Sequence, residues 1–165
     1  MSRLATRLLL GALAGLTGTA AMTACMARLH QALPVQERYP LPPREITGAL
    51  AHEARGERRD ELGDWAVAAH FGFGAVAGAL LSALRFPARP LPMAAAGVGV
   101  WAASYFGWVP ALGILTPAHR HPARRNALMS AVHLVWGAVA ALTLSELHHA
   151  RRTMFAPGPL QDRPA

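Results

Sequence analysis

The chain has 165 residues, 53% of them hydrophobic and 15% charged, with a mean hydropathy of +0.24 and a formal charge of +7. Soluble domains carry about 25% charged residues, so a shortfall gathered into four apolar runs argues against a water-soluble fold and for a membrane protein. All of the positive charge is arginine and it flanks the apolar runs, which excludes the basic face that nucleic-acid binding needs and fits orientation in a bilayer and contact with anionic headgroups.

The first apolar run spans residues 8–29 and follows Arg3 and Arg7. Gly11, Gly15, Thr19 and Thr23 recur at every fourth position, the small-residue stripe along which membrane helices approach each other. Two readings meet here. A basic start, an apolar stretch and Met22-Thr23-Ala24-Cys25 are compatible with a lipoprotein-type signal cleaved at Cys25. The run continues past the cysteine and three more apolar runs follow, which favours an uncleaved first helix. Cys25 is the sole cysteine, so there is no internal disulfide and no Cys-based zinc cluster.

Residues 30–64 form the longest polar segment. Tyr39-Pro40-Leu41-Pro42-Pro43 is extended, because each proline biases its predecessor away from the helix. A short amphipathic helix over 43–55, with Ile46, Ala49, Leu50 and Ala54 near one face, is predicted to lie on the bilayer. A charged turn from Gly56 to Glu61 leads to the second run, 65–84, with Asp64 as its N-cap and Trp65 at headgroup level. Arg85 to Pro90 is a tight basic loop. The third run, 91–109, carries Gly99, Ala103 and Gly107 on one stripe, and the prolines and glycine of 110–117 end it. The fourth run is 127–147, and residues 153–165 read as a flexible tail.

The second and fourth runs are related. Residues 69–84 and 132–147 align without gaps and agree at His, Gly, Ala, Val, Ala, Leu, Ser and Leu. Both place a small or polar residue at every fourth position: His70, Gly74, Gly78 and Ser82 in one, His133, Gly137, Ala141 and Ser145 in the other. The expected fold is therefore all-α: a polytopic four-transmembrane-helix bundle over residues 1–152, made of two parallel helical-hairpin-like repeats. Arg3, Arg7 and the loop Arg85–Arg89 favour cytoplasmic N- and C-termini.

Leu41-Pro42-Pro43-Arg44, the pattern Pro110-x-x-Gly113-x-x-Thr116-Pro117, and His133-Leu134-Val135-Trp136 resemble the YagU-type family of small bacterial inner-membrane proteins, defined by a domain of unknown function. The resemblance implies a multi-pass protein of the inner (plasma) membrane and carries over no catalytic residue.

Ionisable groups inside the membrane are the natural functional candidates. His70 and His133 sit at the same depth on helices that run the same way. Three roles are open for them: hydrogen-bonded glue between helices, axial ligands of a haem, or a path for a proton or small solute. The helix-packing and polar stripe is expected to comprise Gly11, Gly15, Thr19, His70, Gly74, Gly78, Ser82, Gly99, Gly107, His133, Gly137 and Ser145, with both imidazoles hydrogen-bonded to another helix. No phosphate loop, nucleophile elbow or H-E-x-x-H motif is present, so no catalytic residue, metal site or resident cofactor is assigned. The expected partners are the lipid bilayer, a second copy, or another membrane protein, and the expected role is non-enzymatic.

Overall fold

A computed structural model of the chain describes residues 2–38, 44–48 and 61–156. They contain four substantial helices: α1 (Arg3–Ala32), α2 (Glu61–Ala83), α3 (Pro90–Ala103) and α4 (Ala123–Arg152). There is no strand among the described residues. Three helical stretches are long and apolar enough to cross a membrane: Arg3–Ala32, Gly63–Ala83 and Ala123–Arg152.

Each of these helices outruns its apolar stretch. α1 starts under the Ser2 side chain, which accepts a hydrogen bond from the Ala5 N–H at 3.1 Å, and ends where Leu33, just before Pro34, turns extended. α2 begins at Glu61, so Asp64 lies within its first turn and not at the cap. Hydropathy marks where lipid begins, whereas a helix continues through charged residues of good helical propensity into the headgroup layer. Of the short helix expected over 43–55, residues 44–48 are helical, and 49–55 lie outside the described residues, as do the Leu41-Pro42-Pro43 motif and most of the tail.

The third run departs most from expectation. Its α-helix stops at Ala103 and passes into a π-helical turn, Ser104–Trp108, that breaks at Gly107 (φ −109°, ψ −108°). The Val109 N–H reaches back to the Ser104 carbonyl, and Trp108 Nε1 donates to Ser104 Oγ at 3.2 Å. Pro110 has no N–H with which to resume the α pattern. α3 has 14 residues, a length of about 21 Å that falls short of the ~30 Å hydrocarbon core.

α1 is the hub. α2 and α4 both pack antiparallel to it, and α3 packs antiparallel on α4. The α1–α2 seam is backbone against backbone: Gly11 faces Gly78 and Ser82, and Gly15 faces Gly74 and Ala75. On its other side α1 presents Gly18 to Trp136 and Ala140, and the Thr17 hydroxyl meets the Thr143 hydroxyl at 2.9 Å. In the α3–α4 pair, Gly97 lies against the His133 carbonyl and Gly137 against the Met93 carbonyl. Outside the bundle Leu8, Leu13, Val76, Leu80, Leu134 and Leu142 all point outward. That inside-out distribution is cheap only against lipid.

Candidate ligand cavity

A cavity of about 250 Å³ opens between the helices, walled by α1, α2, α4, the end of α3 and the π turn. α1 contributes Thr19, Met22 and Met26; α2 contributes His70, Phe73 and Ala77; α4 contributes Met129, His133 and Trp136. Trp101, Ser104, Tyr105 and Trp108 complete the wall, and Ile46 and Thr47 of the stretch 44–48 close over it. That stretch is tied to α4 by an ion pair in which Arg125 Nη2 donates to Glu45 Oε2 at 2.5 Å, with Arg125 buried.

Both histidines line this cavity, but neither is bonded as expected. His133 is buried, and its Nδ1 lies 2.6 Å from the carbonyl of Met129, one turn back on its own helix. A carbonyl only accepts, so Nδ1 carries the proton, and in the neutral ring Nε2 is left as an acceptor. His70 is half-buried, and its Nε2 has no hydrogen-bond partner among the described residues. Among the described residues neither imidazole has the expected bond to another helix. An α-helix already offers a carbonyl four residues back, and the cavity lies where a cross-helix partner would have stood.

The rest of the predicted stripe divides. Gly11, Gly15, Thr19, Gly74, Gly78 and Ser82 are brought together in the α1–α2 seam, and Gly137 meets α3. Thr19 is the junction of three helices: its hydroxyl donates to the Gly15 carbonyl at 2.8 Å, accepts from Trp136 Nε1 at 3.2 Å, and faces Gly74. Gly99 and Gly107 pack against no other helix among the described residues. Both are exposed with open space where a Cβ would be, and Gly107 marks the helix break. Ser145 is exposed as well. The buried face of α3 runs instead through Met93, Gly97, Trp101 and on to Tyr105, a spacing of four that lies two residues out of phase with Gly99.

Three buried side-chain polar atoms lack a hydrogen-bond partner among the described residues: His70 Nε2, Trp101 Nε1 and the Tyr105 hydroxyl. All three residues line the one cavity. Trp101 is 9% exposed and Tyr105 4%. Arg125 flanks Tyr105, but a guanidinium only donates, so the phenolic proton still needs an acceptor. The other two tryptophans of the wall are satisfied, Trp108 by Ser104 and Trp136 by Thr19. A buried donor without a partner costs about 1–3 kcal/mol, and here that cost is concentrated in one chamber.

The dimensions bear on what could sit there. At about 250 Å³ the chamber lies just below the ~300–1,000 Å³ of pockets that hold drug-sized molecules, which favours a small guest. No three His, Cys, Asp or Glu side chains come together among the described residues. Sequence reasoning found the histidines through their repeat but missed Trp101, Tyr105 and Gly97, which share a spacing of four from Met93 on a helix whose all-round apolar character hides that stripe. In comparisons with known proteins, no family model, no curated protein and no solved structure matches this chain.

Proposed function

We propose that this is a multi-pass inner-membrane protein, non-enzymatic in itself, that holds a small lipophilic molecule between its helices, as a receptor or carrier within the bilayer. The observation that carries the reading is the convergence of the three buried side-chain polar atoms without a partner among the described residues on one apolar chamber. Membrane character rests on the three long apolar helices. In this reading α3, continued by the π turn through Ala111, serves as a fourth crossing, and α1–α2 and α3–α4 are parallel repeats. Their support is the matched pair of glycine contacts, Gly74 on α1 and Gly137 on α3. α1 is retained and not cleaved at Cys25, since Leu10, Ala14 and Thr19 pack into the bundle. Membership of the YagU-type family and cytoplasmic termini belong to the same proposal.

The test is purification in mild detergent, followed by organic extraction and mass spectrometry of what co-purifies. Wild-type protein is expected to carry, or on addition to take up, one lipophilic molecule per cavity. Ala69→Trp, which fills the chamber from a wall position outside the glycine seams, is expected to lose it. Wild-type protein that neither carries nor takes up such a molecule refutes the reading.

A further inference from the structure

Resting on the cavity reading above, we propose that the molecule it holds is a quinone, with its ring in the chamber and its tail in the lipid. The polar groups of the wall define what the ligand must offer. Trp101 Nε1 can only donate, and the Tyr105 hydroxyl, with Arg125 on its flank, has its proton to give. The ligand therefore presents at least two acceptor atoms. His70 Nε2 adds a third polar contact from the opposite helix.

Those acceptors are neutral. The cation next to the chamber, Arg125, is already paired with Glu45, and a carboxylate or phosphate would be buried among Met22, Met26, Met129 and aromatic rings. Burying an ionised group in such surroundings is far more costly than burying a carbonyl. The ligand is also flat. Phe73, Trp101, Tyr105, Trp108 and Trp136 supply ring faces, and aromatic rings gain by offset or edge contact with a planar partner. A volume of about 250 Å³ suits a headgroup of one or two rings. Phe73 and Trp108, with ring centroids 6.3 Å apart, line the chamber while remaining exposed at its rim. A hydrocarbon tail leaving past them passes directly into the region that lipid occupies. A neutral planar ring with carbonyl oxygens on opposite edges and a lipid-soluble tail is the quinone headgroup.

The experiment is equilibrium binding by calorimetry to the full chain in lipid nanodiscs, with empty nanodiscs as the blank. The probes are menadione and decyl-ubiquinone, methylnaphthalene as a flat hydrocarbon without carbonyls, and monoolein as a neutral ester on a flexible chain. Saturable binding of the quinones, at least about tenfold tighter than methylnaphthalene, is expected, since a satisfied buried donor is worth roughly that factor. Tyr105→Phe, which removes only the hydroxyl, is expected to weaken menadione by about tenfold and leave methylnaphthalene unchanged. Methylnaphthalene binding as tightly as menadione overturns the quinone assignment and leaves the cavity reading standing, as does monoolein binding where the quinones do not. Binding of none of the four overturns both. The comparison of menadione with methylnaphthalene uses wild-type protein alone, so it decides the matter even if a variant fails to fold.

Discussion

Gly15→Ala adds one methyl group at the tightest part of the α1–α2 seam, and its cost can be worked from the contacts. The new Cβ would stand inside van der Waals contact of the Gly74 carbonyl oxygen, 2.9 Å from its carbonyl carbon and 3.2 Å from Ala75 Cα. Carbon atoms pack at about 3.5–4.0 Å, so the two backbones must part by roughly 1 Å. Overpacking of this kind costs about 1–3 kcal/mol, and a gap of ~0.5–1 Å forfeits a quarter to a half of the dispersion across the seam. Because Gly11, Gly15, Gly74 and Gly78 share one crossing, the upper part of that range applies. Replacing glycine by alanine returns up to ~1 kcal/mol of helix propensity, leaving a net loss of about 1–2 kcal/mol. Gly72→Ala on α2 and Gly99→Ala on α3 place their methyl groups in open space, so they keep only the propensity term and are expected to be neutral or stabilising by up to ~1 kcal/mol. Far-UV circular dichroism during unfolding in mixed detergent micelles measures the difference. Gly15→Ala proving as stable as Gly72→Ala would refute the seam.

Thr19→Val removes the acceptor for Trp136 Nε1 and is expected to cost about 1–3 kcal/mol by the same unfolding assay, with Thr19→Ser retaining most of the stability. Arg125→Met leaves Glu45 without its buried partner; a loss of about 2–3 kcal/mol is expected, below the value for a fully buried pair because Glu45 is partly exposed, and Glu45→Gln combined with Arg125→Met is expected to recover part of it. Arg85 closes α2 at φ 60°, where the Phe86 N–H returns to the Leu81 carbonyl at 2.9 Å, so Arg85→Gly is expected to stabilise by about 0.5–1 kcal/mol by relieving the left-handed conformation. A reporter fused at the C-terminus is expected to be active only in a cytoplasmic format, and activity outside the cytoplasm would reverse the proposed orientation.

Much of the architecture is legible in the sequence because lipid imposes a length on any apolar run. The spans around Leu8–Leu29, Trp65–Leu84 and Ala127–Leu147 are long enough to declare themselves, and the spacing of four among Gly11, Gly15, Gly74 and Gly78 identifies the residues that meet between α1 and α2. The third run is harder to phase. Pro90 to Ala103 is apolar on every side, so periodicity cannot separate the stripe through Gly97 from the one through Gly99. Only the packing against the His133 carbonyl and the Trp136 ring selects Gly97. The π turn at Ser104–Trp108 depends on a serine hydroxyl and a tryptophan N–H finding each other, which no run of hydropathy records. The chamber itself was half visible: a repeated histidine can be seen in a sequence, but whether Trp101 or Tyr105 has a partner is a property of neighbours brought from elsewhere in the chain. The link between Glu45 and Arg125, 80 residues apart, is of the same kind.

The α1–α2 seam also limits how this protein can change over generations. In an ordinary core a large residue facing a small one can be exchanged for the reverse, because one side chain shrinks as the other grows. At Gly15 and Gly78 the nearest opposing atoms all belong to the backbone of the partner helix, and a backbone has nothing to give up. A bulkier residue there has no compensating substitution on the partner helix. Drift along this seam is therefore confined to side chains little larger than hydrogen, while the outward-facing Leu80 and Val76 on the same helix are free to exchange among any residues that lipid will accept.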